Sequence, residues 1–518
     1  MTDAAQDNTN TNPDIGDRTR AYAWAVLGGV IYFLGWAGFG YWPLALVSLV
    51  PLWAALELST DHPWQAALGV SWVYGIVMIA GGYHWLVPFF EVFSGYGSFA
   101  SVGFWLAFSA FIGAQYGVYG VIYGLLRRRG WSVALAAIPP FMTAEWLYPK
   151  LFPVYLANSF NQQPVFVQIA DLGGPLLVTA VAAMVNLALF ETWRWWRGAR
   201  GAPRAVWALT ILSVGFTLGY GTIRIPQVEA AMAAAPPLRL GIVQVNMGIF
   251  QKRGEAAEAH RRHLEQSLEL EKEGELDLIV WPESAYVQNL PRELPVSGDE
   301  IRKELRTPIL FGGVSQEYVD GRRKIFNTAF MMEADGIVRS TYDKTYLLMF
   351  GEYLPFGETF PALYDLSPNS GRFTPGSHVR PLHFGQWRIS TPICYEDVLP
   401  GFTRTMIREA NPHVLINLTN DSWFGDTQEP WIHLVLAQFR AIEHRLYLVR
   451  ATNSGISAVI DPVGRIVAQT GTLTRENLRY EVHMMEAATV YTRFGDWPGW
   501  LSLAAILLML IVRRGSAK

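Results

Sequence analysis

A chain of 518 residues with a net charge of −3 and 16% charged side chains is long enough for more than one domain and carries no basic footprint for nucleic acid. Hydrophobic residues make up 51% and aromatics 14%, yet charge is split sharply: residues 21 to 224 hold almost none beyond short arginine clusters, whereas 238 to 487 have the dispersed charge of a soluble domain. One cysteine, Cys394, excludes an internal disulfide framework.

Residues 1 to 20 are polar and rich in Asn, Asp and Thr, which predicts a disordered cytoplasmic tail without the apolar core of a cleaved signal peptide. A bilayer needs about twenty apolar residues of helix. Seven candidate spans precede residue 230, at about 21–39, 42–57, 64–87, 99–126, 131–148, 165–191 and 205–223, and an eighth lies at 498–512. The fifth is interrupted by Pro139 and Pro140. With a cytoplasmic N-terminus, the inside segments hold Arg18, Arg20, Arg127 to Arg129, Arg194, Arg197, Arg200, Arg204, Arg513, Arg514 and Lys518, while the short outside loops hold Lys150. Both termini are then cytoplasmic. The expected division is a tail (1–20), seven spans (21–224), a catalytic domain on the far side (225–495), and an eighth span with a cytoplasmic tail (496–518). In a bacterium with two membranes that far side is the periplasm, and the chain sits in the inner membrane.

The soluble half alternates buried-strand runs with charged helical stretches. "LRLGIVQVN" (238–246), "LDLIVWPES" (277–284), "TPILFGGVS" (307–315) and "HVLINLTND" (413–421) read as strands; 252–273 and 430–447 read as helices. Residues 326–343 and 455–470 read as hairpins with turn chemistry between apolar strands. This predicts helices outside a sandwich of mixed sheets.

Reactive side chains at strand ends form a short list: Glu283 after "LIVWP", Lys344 after "IVRSTYD" and Cys394 after "WRISTPI". Each alone has an ordinary alternative, as a solvated loop residue, a surface lysine or a core cysteine. Together they suit acyl transfer through a thioester. A carboxylate takes the thiol proton, the thiolate attacks a carbonyl, and a cation steadies the oxyanion. A nearby lysine also lowers the thiol pKa.

"WPES", "YDK" with "GEYLPFGE", "CYED" and "NLTNDSWFG" together resemble the nitrilase superfamily, whose triad is Glu-Lys-Cys on an αββα sandwich. The likeness is closer to its membrane-embedded branch, the apolipoprotein N-acyltransferases, and runs from the first span to the last. It implies Glu283 as general base, Lys344 as oxyanion-stabilising cation and Cys394 as nucleophile. Glu352 matches a second glutamate near the thiol, Tyr395 and Glu396 shape the nucleophile turn, and the Tyr395 N–H is a second oxyanion donor. Asn420, Asp421 and Trp423 match the loop flanking the site.

The implied reaction moves an acyl chain from a phospholipid, in particular the sn-1 chain of phosphatidylethanolamine, through Cys394 to the α-amino group of a diacylglyceryl-cysteine on an apolipoprotein. A membrane-tethered amidase or nitrilase is the alternative enzyme, and a transporter or scaffold with a degenerate nitrilase domain is a third reading. The non-periodic apolar segment 345–368, with Leu347, Leu348 and Phe350, reads as a lid that dips into the outer leaflet, or else as core packed around Glu352. Glu145 matches a Glu-Trp motif of the family, but in "EWLYPKLFPV" the Arg of the Leu-Arg that should follow, and part of a later Gly-Phe-Pro-Trp stretch, are missing. Gln168, Asp171 and Gly173 read as helix-holding residues, and His84 as interfacial. No metal-ligand spacing, Walker loop or dinucleotide fingerprint is present, so no cofactor is expected, and the chain is expected to act as a monomer.

Overall fold

The computed structural model describes residues 13–59, 63–95, 97–199, 201–248, 251, 254–367 and 369–512. The expectations for the first twelve residues, for Arg200, for positions 252, 253 and 368, and for Arg513, Arg514 and Lys518 lie outside them. In the first half the helices are α1 (Pro13–Gly35), α2 (Leu49–Leu58), α3 (Trp64–Gly82), α4 (Leu86–Ser94), α5 (Ser98–Arg128), α6 (Val133–Leu147), α7 (Pro164–Val167), α8 (Ala170–Trp196) and α9 (Arg204–Ala234).

Helices α3, α5, α8 and α9 are long and apolar enough to cross a bilayer, and they make this half a helical membrane domain. Of the other expected spans, the first forms the 23-residue α1, and those at 42–57, 131–148 and 498–512 form shorter apolar helices. Residues 42–57 divide into a 3-10 turn, Trp42–Leu46, and the ten-residue α2. Helix α6 has 15 residues, a rise of about 22 Å against a hydrocarbon core of about 30 Å. Pro139 and Pro140 do not break it, because it is packed among neighbouring helices that shelter the freed carbonyls. Close helix approach is bought with small residues: a Cβ on Gly75 of α3 would lie 2.3 Å from the Gly113 carbonyl oxygen of α5. Helix α8 is kinked at Gly173 and Gly174, just before Pro175.

Helix α9 leads through two residues into β1 (Pro237–Gln244). The strands that follow are β2 (Leu278–Val280), β3 (Tyr286–Pro291), β4 (Val296–Ser297), β5 (Ile309–Val319), β6 (Arg322–Met332) and β7 (Ile337–Asp343). Later come β8 (Leu382–Phe384), β9 (Trp387–Ser390), β10 (Val414–Thr419), β11 (Leu448–Thr452), β12 (Ala458–Ile460), β13 (Ile466–Gln469) and β14 (Glu476–His483). One sheet has the order β14-β1-β2-β5-β6-β7-β4, with β3 beside β5; the other runs β13-β12-β11-β10-β9-β8. Both expected hairpins form, as β6–β7 and β12–β13.

The expected αββα arrangement follows from strand alternation. Leu238, Leu240 and Ile242 of β1 join Ile389, Leu448 and Val459 in the core between the sheets. Val243 faces the other way, against Ala259 and Leu270 of helix α10 (Ala256–Glu273). The second half also carries α11 (Asp299–Arg302), α12 (Leu363–Leu366), α13 (Pro400–Ala410), α14 (Glu429–His444), α15 (Val490–Phe494) and the apolar α16 (Trp497–Ile511).

The halves share one core. Tyr395, Val398, Val435 and Phe439 from the sandwich cluster with Trp85, Leu156 and Leu176 from the membrane half. At its edge, Arg445 after α14 donates to the Asp171 carboxylate at 2.8 Å and to Gln168 Oε1 at 2.6 Å. Asp171 also accepts from Arg224 at 2.9 Å and Tyr220 at 2.8 Å. The helix-holding role expected of Gln168 and Asp171 therefore extends to clamping the two halves together.

Candidate active site

Glu283, Lys344 and Cys394 converge where the sandwich meets the membrane half. Lys344 directly follows β7, and its backbone N–H donates to the Asn327 carbonyl at 2.8 Å. Its Nζ lies 2.7 Å from Glu352 Oε2 and 3.9 Å from Glu283 Oε1, and it is fully enclosed. Asn327 of β6 donates to both glutamates, at 2.7 Å to Glu283 and 2.9 Å to Glu352. Glu352 reaches back from the apolar loop and accepts from the Leu348 N–H at 2.8 Å. Glu283 sits three residues beyond β2, on a turn pressed against β5 at Gly312, where a Cβ would lie 2.7 Å from the Glu283 Cα.

Cys394 lies four residues past the end of β9. It opens a 3-10 turn, Cys394–Val398, with φ of +52°. That left-handed conformation is uncommon for a residue with a Cβ and marks a site held by its surroundings. Asn417 of β10 holds it by donating to the carbonyls of Pro392 and Cys394, both at 3.1 Å. Glu396 is the strut: its carboxylate accepts from Tyr342 Oη and from the N–H groups of Thr345, Tyr346 and Ile393, each at 2.8 Å. The Tyr395 N–H is at the start of the turn, where an N–H has no intrahelical acceptor. The Tyr395 hydroxyl donates to the Leu151 carbonyl of the membrane half, and its ring packs edge-on to Phe152.

Two family models match this chain: the carbon-nitrogen hydrolase domain over residues 239–490 and the apolipoprotein N-acyltransferase N-terminal domain over residues 28–188. The chain is 30% identical over 515 residues to an apolipoprotein N-acyltransferase of Geobacter metallireducens, covering 96% of each chain. It belongs to the apolipoprotein N-acyltransferase family. Similar relatives include those of Rhodopseudomonas palustris, at 28% identity with 95% of this chain and 94% of that one covered, and of Pseudomonas aeruginosa, at 29% with 94% of each. The resemblance read from the sequence motifs is thereby established across both halves.

Electrostatics suit the resting state of an acyltransferase. Burial and Glu283 push the Cys394 thiol well above its ordinary pKa; Lys344 pulls it down, as expected of a lysine, but is outweighed. Burial opposes the Lys344 ammonium, yet Glu352, Cys394 and Glu283 together raise its pKa and keep it charged. Burial raises Glu283 as well, against the pull of Lys344. A protonated thiol therefore faces a carboxylate of increased basicity, with a permanent cation beside both.

The flanking residues are spread more widely. Leu347 is buried, Leu348 packs against the membrane core, and Phe350 is 56% exposed. The apolar loop is anchored at Glu352 and Leu347 and presents Phe350, Phe356 and Phe360 outward. Trp423 packs against Phe93 of α4. Asn420 accepts from Ser422 Oγ at 2.7 Å and from Asn453 at 3.0 Å. Asp421 is buried and turned toward His433. In the membrane half, Glu145 is buried and its carboxylate is committed to the Leu156 N–H at 2.8 Å and the Thr179 hydroxyl at 3.0 Å.

Sequence reasoning missed Asn327, Asn417 and His433. The first two were visible only as polar residues inside otherwise apolar strands. Asp421, Glu429 and His433 place ligand-type atoms within 4.8 Å of one another, but both His433 nitrogens face carboxylates at 3.1 Å, an arrangement of paired charges.

Proposed function

We propose that this protein transfers an acyl chain from a phospholipid to the α-amino group of the diacylglyceryl-cysteine at the N-terminus of apolipoproteins. The reaction runs as a ping-pong cycle on Glu283, Lys344 and Cys394. Glu283 takes the Cys394 proton as sulfur attacks the ester carbonyl, and Lys344 Nζ with the Tyr395 N–H steadies the oxyanion. The C–O bond breaks, the proton passes to the departing lysophospholipid oxygen, and a thioester remains. The acceptor amine then attacks the thioester. Glu283 removes its proton, the C–S bond breaks and the thiol is regenerated. Phosphatidylethanolamine is the proposed donor, Asn420, Asp421 and Trp423 frame the site, and Leu347, Leu348 and Phe350 belong to the loop that admits lipid. The proposed setting is the bacterial inner membrane, with a periplasmic catalytic domain, cytoplasmic termini and a monomeric chain.

The observation that carries this reading is the seam. The nucleophile turn is tied by Tyr395 to Leu151 and Phe152 of the membrane half, so the thiol opens where a lipid-borne ester can reach it and bulk water is limited. Incubating the purified protein with phospholipid should add an acyl mass to the Cys394 peptide. That mass should be labile to hydroxylamine, absent in Cys394→Ser, and chased to an acceptor lipopeptide. Release of free fatty acid with no modified acceptor would favour the hydrolase.

A further inference from the structure

Behind the nucleophile turn lies a buried charge cluster that the catalytic cycle does not use. His433 of α14 sets Nε2 3.1 Å from Asp397 Oδ1 and Nδ1 3.1 Å from Asp421 Oδ1. Asp397 belongs to the same 3-10 turn as Cys394, and Asp421 opens the short turn after β10. A neutral imidazole has one N–H and one lone pair. It would donate to one carboxylate and turn its lone pair on the other. Only the doubly protonated ring donates to both.

The surrounding charges agree. Glu429, on the same helix, lies 3.8 Å from Nδ1, and Arg450 of β11 pairs with the other oxygen of Asp397. Burial and Arg450 work against the imidazolium, but Asp421 and Asp397 outweigh them and take its pKa up to about 10. The carboxylates are not equivalent. Asp397 has two cationic partners, whereas among the described residues the one ion pair of Asp421 is with His433. Of these two carboxylates Asp421 is the one that acts on the nucleophile, behind the larger effect of Glu283. Its charge opposes the Cys394 thiolate, and the Thr419 hydroxyl touches both residues.

We propose that His433 is a positioning residue, an imidazolium fixed between Asp397 and Asp421 that ties the nucleophile turn to the loop after β10 and screens Cys394 from the Asp421 carboxylate. The inference rests on Cys394 as nucleophile for its catalytic consequence. The screening itself is a property of the thiol.

Cys394 is the only cysteine, so alkylation by iodoacetamide reads one thiol in the full-length protein. Replacing His433→Gln should raise the pKa of alkylation by about one unit, slowing the reaction roughly tenfold at pH values below both pKa values. Adding Asp421→Asn to that variant should restore most of the loss, while Asp421→Asn alone should move the profile far less. A merely structural histidine gives no such rescue. An unchanged thiol profile in His433→Gln, or no rescue in the double variant, overturns the proposal.

Should His433→Gln fail to fold, ¹⁵N NMR of histidine-labelled wild-type protein decides, with His433 assigned by its shift in Asp421→Asn. A ring still doubly protonated at pH 8 supports the proposal, and a ring titrating near 6.5 overturns it. None of these measurements uses phospholipid, so a chain that formed no acyl-enzyme would still show the screening.

Discussion

At the scale of single residues, charge around the thiol is balanced by groups distant in sequence. Glu352 is the clearest case, because it pairs with Lys344 at 2.7 Å and its charge raises Glu283. Glu283 must be ionised to accept the thiol proton, so acylation should fall as pH drops through its raised pKa. Replacing Glu352→Gln removes a like charge and leaves Lys344 to Glu283, both of which lower the Glu283 pKa. The acid limb of the rate of Cys394 acylation should therefore move to lower pH, with a reduced plateau because a weaker base removes the proton. A limb that stays in place would count against Glu283 as the base. His433 gives a second pH signature. Its folded pKa of about 10 exceeds the unfolded value of about 6.5. Its contribution to stability is full below about 6.5 and is lost as pH rises through 10. Thermal midpoints should fall more steeply between pH 7 and 10 in the wild type than in His433→Gln.

At the scale of elements, the apolar loop after Lys344 separates folding from turnover. Leu347 is buried and Phe350 exposed. Leu347→Ala should cost about 2 kcal/mol or more of stability, read as a lower thermal midpoint. Phe350→Ala should leave the midpoint unchanged and slow acylation by membrane-borne phospholipid more than acylation by a short-chain soluble ester. Equal effects on both donors would remove the loop from lipid entry.

Element prediction from sequence worked where pattern and punctuation agree. The strand runs at 238–246 and 413–421 end in polar residues and form β1 and β10. It failed where apolar character continues past a break. "GGYHWLVPFF" carries no Asp, Glu, Lys or Arg, so 64–87 read as one span, yet the helix ends at Gly82 and α4 begins at Leu86. The site divides the same way. Strand ends exposed Glu283, Lys344 and Cys394 as a set, because reactive side chains are rare there. Asn327 and His433 were hidden, since their meaning lies in partners that only the fold supplies: Glu283 is 44 residues from Asn327 and Asp397 is 36 from His433.

At the scale of the whole molecule, the clamp at Asp171 joins the two halves. Asp171→Asn keeps the shape but leaves the buried Arg445 guanidinium without its carboxylate, and breaking such a pair costs about 3–5 kcal/mol. The thermal midpoint should drop, and limited proteolysis should begin to cut between the halves. If the midpoint is unchanged, the clamp is not what holds them. The assembly as described depends on one continuous core as well as on this clamp, so the loss of Asp171 should loosen the seam around Tyr395 and reduce acylation in parallel.

The long helix that enters the sandwich has a mechanical consequence. Helix α9 has 31 residues and rises about 46 Å, of which the hydrocarbon core takes about 30 Å. Its last turns run into β1 with two residues between, so the sandwich has no slack at this attachment. A thinner or thicker bilayer must be met by tilting the mast, and the sandwich tilts with it. Membrane thickness then becomes a mechanical input to the angle at which the thiol faces the lipid surface, a lever that acts with no ligand bound.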